Sequence, residues 1–216
     1  MGINSGYKSQ NNKIKNETEL LEMFTAGDGV RAFTYVPFLH PVYNEVWATD
    51  GHVIIRISPD RLNKHYEPVK GCEGLKLSKV LKPCHLFCTY KAIRQALDAC
   101  PLVDEVITEE CNEDCKECVG TGVIMRKKEI HTGKKVHNKN AIVKIGNSFF
   151  SWYSLDIVAK ALAHIGADVI NITANEPCGM TEFVFDGIKI GLMRYYNSEG
   201  EGYNAEVELK EKGDEV

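Results

Sequence analysis

The sequence predicts an α+β fold in which antiparallel sheets are backed by two or more amphipathic helices and interrupted by a cysteine-bearing hairpin. Three observations carry this expectation. β-rich runs flank Asp50-Gly51 and again Asp186-Gly187, dipeptides suited to the positive backbone angles of a tight type I′ turn. Leu155, Val158, Leu162 and Ile165 recur at helical spacing, and Gly166 stands where a left-handed residue ends a helix. Cys115 and Cys118 lie between two further arms, Val106 to Glu109 and Gly122 to Ile130.

Taken in order, Met1 to Asn16 reads as a polar leader. Asn16 and Glu19 resemble a capping box in front of Leu20, Leu21, Met23 and Phe24, a helix that Gly27 ends. Val30 to Val36 is rich in β-branched and aromatic residues, and with the two arms around Asp50-Gly51 it forms a three-stranded meander; Pro37 and Pro41 interrupt the connection. Leu75 to Leu81 alternates as a half-buried strand does, and Thr89 to Cys100 places Ile93, Ala96, Leu97 and Cys100 on one helical face before Pro101. Ala141 to Gly146 and Phe149 to Tyr153 lead to a helix capped by Ser154. Asp168 to Ala174 is a strand, and Met180 to Tyr196 a hairpin. The organisation expected is a leader at 1–16, one domain at 17–196 with a basic insertion at about 108–140, and an acidic flexible tail at 197–216.

The 216 residues, 44% of them hydrophobic, suffice for a core without disulfides, so the eight cysteines read as reduced thiols or metal ligands. No run approaches the ~20 apolar residues that cross a bilayer, and the leader lacks the build of a secretory signal, which points to a cytoplasmic protein. The net charge of −4 is uneven. Arg126, Lys127, Lys128, Lys134, Lys135, Lys139 and Lys144 stand against Glu129 alone in their stretch. Such a run fits a nucleic-acid partner, and it equally fits a solvated surface.

The wording of the first hairpin, Ala48-Thr49-Asp50-Gly51-His52 followed by an apolar strand, resembles the central-domain hairpin of bacterial DNA polymerase sliding clamps, the β subunit family. The closing hairpin, Ile190-Gly191-Leu192-Met193, is similar to that family's last strand, except that Arg194 stands where the family has proline. The resemblance implies modules in which two helices pack beneath β-sheets, with sheets extended between domains into a ring around double-stranded DNA. It implies a non-catalytic processivity or accessory factor in DNA replication, a DNA polymerase or other replication protein as partner, and a homo-oligomer. Helices lining such a ring meet phosphates through Lys and Arg, which makes Lys91, Arg94 and Lys160 candidates beside Arg126, Lys127, Lys128, Lys134 and Lys135. This chain is shorter than a two-module clamp, which puts a complete ring in question.

Cys115-Lys116-Glu117-Cys118-Val119-Gly120-Thr121-Gly122 is one copy of a Cys-x-x-Cys-x-Gly-x-Gly pattern, similar to the zinc-binding repeats of the DnaJ chaperone family. Two thiolates at this spacing grip one tetrahedral ion; Cys111 offers a third, and His131 or His137 a fourth, for a structural zinc. Free thiols are the plain alternative. Asp50 with His52 has the composition of an acid–base pair but flanks a turn glycine, which favours turn geometry. Cys84, His85 and Cys88 sit among apolar residues, as buried thiols do. Phosphate-loop, dinucleotide and nucleophile-elbow patterns are absent, so no enzyme is expected. Two other readings stay open: a zinc-stabilised protein-interaction module without DNA binding, and a zinc-dependent hydrolase using Cys115, Cys118 and His131.

Overall fold

The computed structural model describes residues 13–26, 32–75, 84–114, 123–175, 180–193 and 202–211. Its elements follow the chain as α1 (Glu17–Glu22), β1 (Phe38–His40), β2 (Glu45–Thr49), β3 (Val53–Ile57), β4 (Leu86–Thr89), α2 (Tyr90–Asp98), β5 (Leu102–Asp114), β6 (Val123–His137), β7 (Ile142–Ile145), β8 (Ser148–Ser151), α3 (Trp152–His164), β9 (Val169–Asn175), β10 (Met180–Phe185), β11 (Ile188–Met193), β12 (Ala205–Val207) and β13 (Lys210–Glu211). The α+β class is as expected. Eight strands form one antiparallel sheet in the order β1-β2-β3-β11-β10-β9-β4-β13. A three-stranded sheet, β12-β7-β8, departs from the antiparallel expectation because β12 runs parallel to β7. β5 and β6 pair with one another as a separate ribbon.

A repeated unit underlies the order. β4-α2-β5-β6-β7 and β8-α3-β9-β10-β11 each run strand, helix, three strands. In both, the strand passes directly into the helix at a hydroxyl cap: Thr89 Oγ1 accepts from Ala92 N–H at 3.1 Å, and Ser151 Oγ from Ser154 N–H at 3.2 Å. The second cap corrects the expectation for Ser154. The helix begins at Trp152, because Ser151 ends β8 in extended conformation and its oxygen reaches the free amide three residues on. At the far end, Gly166 is left-handed (φ 67°), with Gly166 N–H donating to Ala163 O and Ala167 N–H to Leu162 O, the pair of bonds that satisfies a helix's last carbonyls.

α2 and α3 pack together; α3 lies against β3 and β11 of the large sheet and β7 and β8 of the small one, and α2 against β4 and β12. Ile93, Ala96 and Leu97 of α2 meet Leu155, Val158 and Leu162 of α3 in a core that also takes Val46, Ala48, Val53, Ile55, Ile57, Ile170, Ile172, Ile190 and Leu192 from the strands. The alternation along β2, β3 and β11 places these inward, and each fully buried aliphatic stabilises by about 1.5–3 kcal/mol. The opposite face carries Trp47 on Phe38 and Cys72, then an ionic group in which Arg56 joins Glu45 and Glu182, and Lys189 reaches Glu45 at 2.7 Å.

The two hairpin turns differ. Phe185 pairs with Ile188 across Asp186-Gly187, whose φ angles of 46° and 78° are both positive, as the type I′ expectation requires. At Asp50-Gly51 only Gly51 is positive, at 96°, and the turn is held by Asp50 Oδ1, which accepts N–H bonds from His52 (2.7 Å) and Val53 (2.9 Å). The side chain thus replaces a backbone turn there.

Other expectations are corrected. Asn16 is left-handed (φ 51°) and makes no side-chain cap, so the capping box does not form; α1 ends at Glu22, and Gly27 lies outside the described residues. Within Val30 to Val36, Ala32–Thr34 is a turn of 3-10 helix, and the meander's first strand is instead β1, which fits between Pro37 and Pro41. Leu75 is described but 76–83 is not, which leaves the strand expected there outside the described residues. The cysteine hairpin's arms are longer than expected. At the chain's ends, Ile14 is buried, with its N–H on Arg61 O, and residues 205–207 and 210–211 are strands paired with β7 and β4. The flexible-tail expectation fails for that segment because Val207, alternating with acids, is pulled into the core.

Candidate nucleic-acid interface

Two surfaces hold the basic residues singled out from sequence: the outer side of the α2–α3 pair, and the β5–β6 ribbon. On the helices, Lys91 is exposed. Arg94 spans two carboxylates, Asp98 at 2.9 Å and Asp156 at 3.4 Å, and Lys160 meets the other oxygen of Asp156 at 2.8 Å. Asp156, with only 7% of its surface exposed, joins the two helices through Arg94. The structure therefore brings Arg94 and Lys160 together, but around an acid that offsets them.

The ribbon alters the reading of the basic run more deeply. β6 contributes five bases and one acid, while β5, its partner, contributes six acids and no base, so the paired strands are two charges negative with the histidines neutral. The register sets Asp104 opposite Lys135, Glu109 opposite Lys128 and Glu110 opposite Lys127. Lys135 Nζ meets Asp104 Oδ1 at 2.7 Å, and this hydrogen bond, with the lysine's charge, lowers the Asp104 pKa. The expectation of a basic patch is corrected to a ribbon with one acidic and one basic strand. Beyond it, Lys144 bonds Glu206 at 2.9 Å and lies over the Tyr203 ring, and Lys139 lies over Tyr153. The hydrogen bond to Glu206 raises the Lys144 pKa and lowers that of Glu206.

The metal set fares differently. Cys115 and Cys118 lie outside the described residues, as do the side chains of Cys111, Arg126 and Lys127. In the ladder, Cys111 stands opposite Arg126 and His131 opposite Val106, a separation of five ladder positions, or about 17 Å along the strands. A zinc ion's ligands lie about 2 Å from it, so Cys111 and His131 do not share one ion in this register, which corrects the four-residue set. His137 is farther along, stacked on Trp152 with Nδ1 3.3 Å from Cys100 O. Among the described residues no group of three or more His, Cys, Asp or Glu is arranged to hold a metal. Cys84 Sγ donates to Ile172 O at 3.0 Å, and burial raises its pKa and pushes that of Cys88 up to about 12, which keeps both as thiols. Asp50 is occupied by the turn amides, in keeping with its reading as a turn residue.

Sequence reasoning missed the acids that answer these bases. Asp156 to Lys160 and Arg94 to Asp98 are i,i+4 pairs that a helix reading reveals. The acids of β5 lay in plain view, upstream of the basic run.

A comparison with solved structures finds a crystal structure of the Caulobacter crescentus β sliding clamp with polyethylene glycol bound, 13% identical, matching 84% of this chain and 64% of that one with a TM-score of 0.41. Another, Caulobacter crescentus pol III beta, is 12% identical over the same shares with a TM-score of 0.42. The match spans less than two thirds of the length of those chains. No protein-family model matches the sequence, and no curated protein matches it. Among the described residues no helix is long and apolar enough to cross a membrane.

Proposed function

We propose that this chain is a non-catalytic, clamp-like accessory or processivity factor that associates with double-stranded DNA and a replication protein as part of an oligomer. The observation that carries this reading is the doubled strand–helix–three-strand unit with α2 and α3 packed together against β-sheets, the build that the resemblance at Ala48 to His52 implies. A second support is local. The two places where the sequence resembles clamps meet, Met193 N–H donating to His52 O at 2.8 Å.

The test is binding of a labelled duplex across a salt series, with the mass of the protein measured alone and with DNA. Log affinity is expected to fall linearly with log salt, with a slope of about 0.9 per phosphate contacted, and the substitutions Lys91→Gln, Lys128→Gln and Lys134→Gln together to make it shallower. Salt-insensitive binding, or none at low salt, removes the DNA reading.

One observation favours a second reading, a protein-interaction module on the same fold without DNA binding: Arg94, Lys135, Lys144, Lys160 and Lys189 already face carboxylates. Duplex binding that is absent at low salt, in a protein that still captures a replication polymerase, is the result expected of it.

A further inference from the structure

Lys13-Ile14-Lys15, just ahead of α1, sets two charges about one apolar residue, and the structure makes this segment one wall of a cleft of about 260 Å³. Ile14 is the anchor. It is buried, with its N–H on Arg61 O at 2.9 Å and its carbonyl accepting from Asn63 Nδ2 at 3.2 Å, while Lys15 O lies 3.0 Å from His164 Nε2 at the end of α3. Both lysines are thereby fixed at the cleft and stay exposed. Arg61 and the turn at Asp186 complete its polar lining, and Ile165, Phe185 and Ile188 its apolar one. The charges there do not balance. Arg61 is held by Asp186, through the backbone carbonyl at 2.6 Å and the carboxylate at 2.8 Å, whereas Lys13 Nζ donates to the carbonyl of Leu62, which carries no opposing charge. Asp186 is the one acid among the described residues lining the cleft, so three cations face one carboxylate, an excess of two positive charges with His164 neutral. Capping of α3 does not engage the lysines, because its last carbonyls take the amides of Ile165, Gly166 and Ala167.

An apolar lining with a few convergent charges of one sign suits a small anion that carries an apolar body. The charge selects among such anions. A phosphate monoester carries about −1.5 to −2 at pH 7, which matches the excess, whereas a carboxylate or a phosphodiester carries one. We propose that this cleft binds a small phosphate monoester with an apolar or planar organic part, Lys13 and Lys15 meeting the phosphate and Ile165 and Phe185 the organic part. The site does not rest on duplex binding, and it shares no residue with the cations proposed for that role.

The experiment is calorimetric titration of the full chain at low salt and about pH 7.5, above the second phosphate pKa of about 6, with phenyl phosphate, inorganic phosphate and phenol. Phenyl phosphate is expected to bind once per chain, at least about tenfold more tightly than inorganic phosphate or phenol, each of which meets only one part of the lining. Lys13→Gln with Lys15→Gln, both at exposed positions, is expected to weaken phenyl phosphate at least about tenfold. Phe185→Ala is expected to weaken phenyl phosphate and leave inorganic phosphate unchanged. Asp186→Asn removes the opposing charge and is expected to tighten phenyl phosphate about two- to fivefold. The variant Lys91→Gln, Lys128→Gln and Lys134→Gln, which tests duplex binding, is expected to bind phenyl phosphate as the wild type does, so this site and the DNA reading fail separately. Absence of phenyl phosphate binding overturns the proposal, as does binding no tighter than that of inorganic phosphate, or binding that the two lysine substitutions leave unchanged.

Discussion

Glu17 anchors the first helix to the rest of the molecule, and removing its carboxylate should destabilise the fold measurably. The side chain is buried, with 4% of the residue exposed. Its Oε1 accepts from Lys64 N–H at 2.8 Å and Tyr66 O–H at 3.3 Å; its Oε2 accepts from Asn63 N–H and from Asn63 Nδ2 at 3.0 Å. Glu17→Ala leaves two backbone amides without their acceptor, each at about 1–3 kcal/mol, so the expected loss is about 3 kcal/mol. At this chain length that lowers the melting temperature by roughly 6–12 °C. Glu17→Gln retains one oxygen but turns an NH2 toward donors, and should lose about 2 kcal/mol. The pH dependence tests the cause. Burial pulls the Glu17 pKa upward, but the bonds from Asn63, Lys64 and Tyr66 outweigh it and leave the pKa below its ordinary 4.5. The ionised carboxylate therefore contributes stability that is present above that value and lost as pH falls through the lower folded one. Urea or thermal unfolding of wild type against Glu17→Gln should show the full gap at pH 7 and a closing gap below pH 4.5. A gap under about 1 kcal/mol at neutral pH, or one unchanged at pH 3, refutes the reasoning.

Gly191→Ala should destabilise by about 1–3 kcal/mol in a denaturant titration, because a Cβ there lies 2.2 Å from Met180 Sδ and 2.7 Å from Ile54 Cγ2; adding Met180→Ala should recover part of the loss. Arg56→Met leaves Glu182, beside Thr173 Oγ1, without its buried cation, and is expected to cost about 3–5 kcal/mol, with Glu182→Leu in the same chain restoring much of it. For the cysteine cluster, metal analysis of purified protein is expected to find one zinc per chain that is lost in the Cys115→Ser, Cys118→Ser double variant and kept in His131→Ala, since His131 stands five ladder positions from Cys111. Zinc absent from the wild type removes the metal reading.

The parts of the fold legible in the sequence are those whose determinants are local. The stripe Leu155, Val158, Leu162 and Ile165 with Gly166 specifies a helix and its end within a dozen residues, and Asp186-Gly187 specifies its turn through two backbone angles. Where a local pattern has two physical solutions, the residues nearby do not decide between them. Asn16 and Ser154 both have side chains that cap helices, yet Asn16 is left-handed and makes no cap, and Ser151 Oγ takes the Ser154 amide. β12 and β13 are three and two residues long, too short for any periodicity to register, and their acids resembled a tail. Their strands exist because β7 and β4 offer edges more than 60 residues upstream. The junction of β3 with β11, which makes two hairpins into one sheet, joins residues such as Ile55 and Ile190 and leaves no mark on the sequence around either.

The site was less legible than the fold because the effect of a charge depends on what lies about 5 Å away across a ladder or between helices, not on its sequence neighbours. Counting the run from Arg126 to Lys144 alone gave a basic patch. The sequence predicts the hairpin, but arms at Val106 to Glu109 and Gly122 to Ile130 stop short of Asp104 and Lys135, which the ladder sets opposite one another. Likewise Asp156 answers Lys160 one turn away, which the sequence reveals, and Arg94 on another helix, which it does not. Cations already held by carboxylates, such as Arg94, Lys135, Lys144 and Lys160, release fewer counterions on meeting phosphates than free ones do, so the salt slope is expected to come from the others, Lys91, Lys128 and Lys134 among them. Under the clamp-like reading, lasting association then comes from enclosing the duplex. The solution mass measured alone and with DNA, read beside the salt series, is therefore the pair of measurements on which that reading turns.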